Sequence, residues 1–330
     1  MIAGPFSGEV LEIDREAVTR SIAAAVREQV MGTLRRRGAV VGLSGGIDSS
    51  VVAALAVRAL GKEKVFGLFM PERDSSGDSL RLGRLLAESL GIETVLEDIA
   101  PTVEAAGCYR RQDEAIRTAF PEYGPGYKSK ITLPSILESE RLNVFLLTIQ
   151  SPTGETKTSR MALGPYLQLV AATNFKQRVR KMMEYFHADR LNYAVAGTPN
   201  RLEYDQGFFV KQGDGAADFK PIAHLYKTQV YALAEHLGVP AEIRGRPPTT
   251  DTYSMEQTQE EFYFALPYDK MDLCLWGKNH GVAAADVAPV VGITAAQVER
   301  VYKDIDKKRM TTRYLHARPL LVEDVPEVTR

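Results

Sequence analysis

A short apolar run that breaks into a glycine turn and restarts as a helix restricts this chain more than any other feature. Ala39-Val40-Val41-Gly42-Leu43 is apolar and β-branched, Ser44-Gly45-Gly46-Ile47-Asp48-Ser49-Ser50 follows, and Val51, Val52, Leu55, Ala56 and Leu60 then recur at helical spacing. An apolar run this short, closed by glycine, reads as a strand buried on both faces, and the recurrence after it as a helix packed on that strand. The unit returns as Val65-Phe66-Gly67-Leu68-Phe69-Met70, a helical stretch from about Gly77 to Leu90, and Glu93-Thr94-Val95-Leu96-Glu97. Strands separated by helices cannot pair as hairpins, so the pattern predicts an α/β fold: a doubly wound, mostly parallel sheet with helices on both faces.

The flanking segments extend the same plan. Asp14 is placed to cap a helix carrying Val18, Ile22, Ala25, Val26 and Val30, with Ile13 and Val18 as a hydrophobic staple and Gly38 as its end. A long helical stretch from about Tyr166 to His187 leads into Tyr193-Ala194-Val195-Ala196-Gly197, a further strand of the sheet. Thr228 to Leu237 reads as a helix closed by Gly238, and helical pieces near 256–265, 268–276 and 294–307 follow. One stretch breaks the alternation: Asn143 to Gln150, the turn Ser151-Pro152-Thr153-Gly154 and a Thr-rich run to Arg160 read as an inserted β-hairpin. No internal repeat is visible. The organisation expected is one domain over 1–330, an insertion over 121–165 and a C-terminal helical extension and tail over 278–330.

Composition removes several function classes. With 41 basic and 42 acidic residues the net charge is −1, without the basic footprint of a protein that grips nucleic-acid phosphates. Cys108 and Cys274 stand too far apart for a metal knuckle or a C-x-x-C pair, and read as reduced, structural thiols. No leader pattern and no membrane-length apolar run occurs, so a cytoplasmic location away from the membrane is expected. The five histidines are scattered, and most of them read as solvated or capping residues.

The turn itself carries chemistry. At the carboxyl end of a parallel strand and the N-terminus of a helix, free N–H groups and the helix dipole favour an anion, glycines admit close approach, and Ser44, Ser49 and Ser50 add hydroxyl donors. Asp48 beside bound phosphates would repel them unless a divalent cation lay between, which points to magnesium. The turn lacks the Gly-Lys-Ser/Thr ending of a Walker loop. An ordinary Ser- and Gly-rich turn is the competing reading. Glu203, just beyond a sheet strand, could be a second oxygen ligand to the cation or a plain carboxylate at a helix start.

Ser44 to Ser50 resembles the pyrophosphate loop of the ATP pyrophosphatase superfamily, whose Rossmann-like members cleave ATP between the α and β phosphates and form an adenylate. Gly197-Thr198, Glu203, Gly207-Phe208-Phe209-Val210-Lys211 and Gly213-Asp214-Gly215-Ala216-Ala217-Asp218 resemble, in this order, the ammonia-dependent NAD synthetase family. So do Asn174-Phe175-Lys176-Gln177-Arg178, Leu225-Tyr226-Lys227-Thr228-Gln229, Pro247-Pro248-Thr249-Thr250-Asp251 and Leu266-Pro267-Tyr268-Asp269-Lys270, and roughly two-thirds of the chain is covered. The resemblance implies that Ser44, Gly45, Gly46, Asp48, Ser49, Ser50, Thr198, Lys227 and Thr249 bind ATP, that Asp48 and Glu203 hold Mg2+, and that Asp48 and Lys227 are catalytic. Asn174, Arg178, Lys211, Asp214, Asp218, His316 and Arg318 would line the side of deamido-NAD, and a homodimer is implied.

Two departures bear on the substrate. The interval from Asp48 to Asn174 is longer than the family pattern, and Ala317 in Tyr314-Leu315-His316-Ala317-Arg318-Pro319 stands where the family's His-Lys-Arg segment has Lys. Another carboxylic acid, amidated by the same chemistry, therefore stays open, as does a nucleotide-binding module without turnover. The stretch before the first strand is too short for a glutaminase domain, so ammonia is expected to be free or to come from a separate glutaminase.

Overall fold

The computed structural model describes residues 5–132, 146–247, 253–255, 258, 263–264 and 266–328. Helix α1 (Arg15–Arg27) starts where Asp14 accepts a hydrogen bond from the Ala17 N–H at 3.0 Å. It runs on through a π-turn over Glu28–Thr33, and Arg35 at φ 52° turns the chain. Gly38 therefore does not end the helix. Its place is explained by crowding, since a Cβ there would lie 2.4 Å from the Lys64 carbonyl oxygen.

Strand β1 (Ala39–Gly42), helix α2 (Ile47–Leu60), strand β2 (Val65–Phe69), helix α3 (Gly77–Leu90) and strand β3 (Glu93–Leu96) follow, all as the periodicity predicts. Helices α4 (Ala100–Ala105) and α5 (Cys108–Arg117) lead to strand β4 (Lys128–Thr132), and β5 (Leu146–Gln150) and β6 (Thr156–Arg160) come after it. Helix α6 (Leu163–Leu191) runs longer at both ends than its pattern suggests, until Asn192 at φ 57° stops it before strand β7 (Ala194–Val195). The chain continues through α7 (Arg201–Gln206), α8 (Lys227–His236), α9 (Ala241–Gly245), α10 (Tyr268–Asn279), α11 (Ala284–Val291) and α12 (Ala295–Thr312). Most of the helix expected near 256–265, and the start of the hairpin at Asn143 to Phe145, lie outside the described residues.

The main sheet has the order β3-β2-β1-β7, and every pairing is parallel. Side chains alternate across its centre. Ala39, Val41 and Leu43 face a core shared with α1, α2, α3 and α8, while Val40 faces the other way with Phe66, Leu68, Val195 and Ala188 of α6. His187 belongs to this second layer: it is buried, stacks on Phe66 at 5.4 Å and meets Glu97 at 2.7 Å, so it is not one of the solvated histidines.

The expected hairpin is part of a three-stranded antiparallel sheet, β4-β5-β6, whose first strand the sequence reading lacked. Ile131, Leu147 and Ile149 bury its inner face against α5 and Leu169 of α6. Alternation puts Lys128 and Lys130 on the opposite face, where Lys130 pairs with Thr148 in register. A separate apolar core joins α10, α11 and α12 to Phe6, Leu202 and Tyr226.

Candidate functional site

The turn after β1 is built as a cradle. Gly45 sits at φ +73°, and a Cβ there would fall 2.4 Å from the Ser79 carbonyl oxygen, so both conformation and space require glycine. Gly46 caps α2, with its N–H donating to the Ser44 hydroxyl at 3.3 Å. The hydroxyls of Ser44 and Ser49 stand 3.1 Å apart, and Ser49 donates to the Gly46 carbonyl at 3.0 Å. Ser50 behaves differently. Its hydroxyl also donates to the Gly46 carbonyl, at 2.8 Å, but the side chain is fully buried in α2 and, unlike Ser49, does not line the adjoining cleft.

A cleft of about 450 Å³ opens beside Ser44, Gly46, Asp48 and Ser49 at the carboxyl ends of the strands. In open α/β sheets this is where ligands enter. The loop after β2 forms one wall with Met70, Pro71, Ser75 and Ser76, and α6 forms another with Asn174, Gln177 and Arg180. Thr198, Glu203 and Asp214 line the remaining side.

Asp48 is held from two directions. Asn200 donates from Nδ2 to one carboxylate oxygen at 2.9 Å, and the Lys227 ammonium donates to the other. Asn200 also caps α7, accepting from the Leu202 and Glu203 N–H groups, while the Glu203 carboxylate accepts the Asn200 N–H at 3.0 Å. This reciprocal cap fixes Glu203 beside Asp48. Burial and then the Asp48 charge push the Glu203 carboxyl up to about 8. Burial alone would lower the Lys227 ammonium, but Asp48 and Glu203 outweigh it and keep it raised. Lys227 opens α8, where the buried Asp272 carboxylate accepts the Lys227 and Thr228 N–H groups at 3.2 and 2.7 Å.

Among the described residues no set of three or more His, Cys, Asp and Glu gathers as a metal centre. Asp48 and Glu203 are a pair, and a magnesium ion that keeps waters and phosphate oxygens needs one or two protein carboxylates. A buried carboxylate, Glu203, and a part-buried one, Asp48, beside one lysine fit such a cation.

The other expected site residues divide. Asn174, Thr198 and Asp214 line the cleft, where Asp214 accepts the Val210 N–H at 2.8 Å and burial raises its carboxyl. Gly45, Arg178, Lys211, Asp218, His316 and Arg318 do not line it. Arg178 donates to the Lys211 carbonyl at 3.2 Å, and the Lys211 ammonium donates to the Tyr314 carbonyl at 2.8 Å, tying the loop to the tail. Asp218 accepts the Val195 N–H at 2.7 Å and the Tyr185 hydroxyl at 3.2 Å, closing the end of β7. His316 sets its ring edge-on to Tyr204 and Phe209 in a separate open hollow, and Arg318 is exposed. Thr249 lies outside the described residues.

Among the residues the sequence did not single out are Asn200, bonded to Asp48, and Lys181 and Glu184, which line the cleft. Asn200 had a legible signal, since Asn followed three residues later by Glu is a helix-start signature. Lys181 and Glu184, paired at 2.5 Å against the end of β1, had none beyond their i,i+3 spacing.

The model for NAD synthase matches residues 18–120 and 139–314. The chain belongs to the NAD synthase family. It is 67% identical to the NH(3)-dependent NAD(+) synthetase of Mesorhizobium japonicum over 318 residues, 96% of this chain and 100% of that one. The NH(3)-dependent NAD(+) synthetase of Rhizobium meliloti is 61% identical, over 98% and 96% of the two chains. Among solved structures, NMN synthetase from Francisella tularensis superposes with a TM-score of 0.64 at 24% identity, covering 95% of this chain and all of that one. NH3-dependent NAD synthetase from Campylobacter jejuni gives 0.59, also at 24%, over 94% and 100% of the chains. Those two likenesses show that the fold is shared. Residues 121–138, which hold β4, fall outside the family model.

Proposed function

We propose that this chain is an ammonia-dependent NAD synthetase: a ligase that uses ATP to adenylate the nicotinate carboxylate of deamido-NAD and then amidates it. The observation that carries the reading is the Asp48–Asn200–Glu203–Lys227 cluster placed against the Ser44–Ser49 cradle at the mouth of the cleft. The high identity to synthetases so named, along their whole length, supports it.

A carboxylate oxygen of the acid bonds to the α-phosphorus of ATP, and the bond from that phosphorus to the α,β-bridging oxygen breaks. Pyrophosphate departs with the electron pair. Ammonia, free or delivered by a separate glutaminase, then attacks the acyl carbon; AMP leaves with its oxygen and the nitrogen loses a proton. No step requires a protein nucleophile, so catalysis consists of orientation and charge neutralisation. The Ser44 and Ser49 hydroxyls and the first N–H groups of α2 receive phosphate oxygens, and Lys227 meets the charge that grows on the leaving pyrophosphate. Asp48 and Glu203 would hold Mg2+, which supplies further neutralisation of that charge when bound. Asn174 and Asp214 face the acid.

Among the described residues no helix is long and apolar enough to cross a membrane, and a cytoplasmic location is part of the same reading. Leu163, Leu167, Met182 and Phe186 leave apolar side chains exposed along α6, which supports the homodimer and is tested by sedimentation.

Purified protein with ATP, Mg2+ and ammonium should convert deamido-NAD to NAD with one AMP and one pyrophosphate released per amide. Pyrophosphate release with a different acid, and none with deamido-NAD, would assign the same chemistry to another substrate. ATP binding without AMP formation from any acid would leave a binding module.

A further inference from the structure

The loop from Met70 to Ser76 forms a wall of the cleft, yet its underside is fastened by charges that the proposed chemistry does not use. The side chains of Lys176 and Glu72 are fully buried, and that of Asp74 nearly so. Lys176 reaches from α6 to both acids, at 3.3 Å from Glu72 and 2.5 Å from Asp74. The Tyr109 hydroxyl of α5 donates to the other oxygen of Glu72 at 2.8 Å and accepts the Arg73 N–H at 3.1 Å. Gln112 donates to Asp74 at 3.3 Å. Burial alone would raise the Asp74 carboxyl; Lys176 and then Arg73 outweigh it and hold it below the ordinary range.

The upper side of the same loop faces the cradle. Pro71, Ser75 and Ser76 line the cleft, and the start of α3 abuts the turn so closely that the Ser79 carbonyl limits residue 45 to glycine. A shift of the loop would therefore move the wall against which a nucleotide lies. The opposite wall, with Asn174 and Gln177, stands on α6, whose Arg180 adds bonds to the Met70 carbonyl and the Ser75 hydroxyl of the loop, both at 3.2 Å.

We infer that Lys176, with Glu72 and Tyr109, is a positioning group that locks the 70–76 loop in its nucleotide-receiving place and so sets the affinity for ATP, without touching either substrate. A buried ion pair is a weak source of net stability, since desolvation offsets most of its attraction, but it fixes one geometry where an apolar patch would allow several. Here that geometry joins the nucleotide wall to the helix carrying the other wall.

The inference rests on the proposed reading of the cleft as an ATP site, and the experiment separates the two. Binding of a non-hydrolysable ATP analogue with Mg2+ is measured by calorimetry, beside steady-state constants for ATP and deamido-NAD. Tyr109→Phe removes one hydroxyl and keeps the ring. It should weaken the analogue and raise KM for ATP about tenfold, the effect of one lost hydrogen bond to a charged group, with kcat and the KM for deamido-NAD within about twofold. Lys176→Met should do the same to a larger degree. If it does not fold, Tyr109→Phe decides. Variants that melt at lower temperature yet bind the analogue as wild type does, or that lose ATP and deamido-NAD alike, would overturn the inference. An unmodified protein that binds no ATP analogue would instead remove the reading of the cleft.

Discussion

Asp272→Asn tests whether the buried cap beneath Lys227 carries the charge state the fold implies. Burial raises the Asp272 carboxyl from 3.8 to about 6, despite the N–H groups of Thr228 and Lys227 that favour its ionised form. Between those values the unfolded chain has released a proton that the folded protein keeps, so stability must fall as pH rises through that window. At about 1.4 kcal/mol per pH unit the loss amounts to about 3 kcal/mol. Asparagine is neutral at every pH and keeps one oxygen for the shorter bond, from Thr228; turning its amide toward the Lys227 N–H forfeits the other, at about 1 kcal/mol. Urea unfolding followed by circular dichroism at pH 4 and pH 7.5 reads the difference. The variant should be less stable than wild type at pH 4 by about 1 kcal/mol and more stable at pH 7.5 by about 2 kcal/mol, a crossing that follows from the two terms. A constant offset between the curves, or one that changes in the opposite direction, would refute the argument and make Asp272 an ordinary ionised cap.

Further outcomes follow from the same geometry. Gly45→Ala must adopt a left-handed backbone and displace the Ser79 carbonyl, so it should lose between about 2 and 5 kcal/mol in urea unfolding, and pyrophosphate release with it. Asp48→Asn should stay folded, because Glu203 remains as a counter-charge for Lys227, while giving up about 3 kcal/mol and at least ~100-fold in pyrophosphate release; full activity would remove the magnesium assignment. Ser50→Ala should change turnover by less than about threefold and stability by about 1 kcal/mol or less, as a hydroxyl spent within α2 requires, whereas Ser49→Ala should raise KM for ATP. Chelation by EDTA should stop pyrophosphate release and Mg2+ restore it, and ATP with Mg2+ should raise the Tm of wild type but not of Glu203→Gln.

How much of this was legible depends on how far apart the cooperating residues lie. The parallel sheet could be read because each strand is an apolar run with its own turn and helix beside it, as at Val40 to Leu60. Strand β4 could not, since Lys128-Ser129-Lys130-Ile131-Thr132 offers too little apolar alternation, and its partner Leu146–Gln150 lies well beyond it in the sequence. Gly38 was misread because a glycine after a helical pattern usually terminates it, and nothing local shows the Lys64 carbonyl waiting beside it. Ser50 lies off the cleft for a related reason. Its hydroxyl is one turn along the helix from Gly46, and a buried serine there bonds its own backbone.

The site residues split along the same line. Residues on the turn, on the cap at Asn200 and on the cleft side of α6 converge because rigid elements aim them at one place. Lys211 and Asp218 sit in a loop and Arg178 on α6 beside it, and their charges have equally good partners in carbonyls and N–H groups nearby, which engage them. A carboxylate or ammonium that can satisfy itself locally has no reason to wait in a cleft. Asp48, Glu203 and Lys227 are placed differently: two acids share one buried base, and the Glu203 carboxyl is pushed up to about 8 by burial and the Asp48 charge, at a cost in stability that an apolar cluster would not incur. Such an arrangement persists where a ligand completes it, and a cation with bound phosphates is what its charge and its neighbours call for.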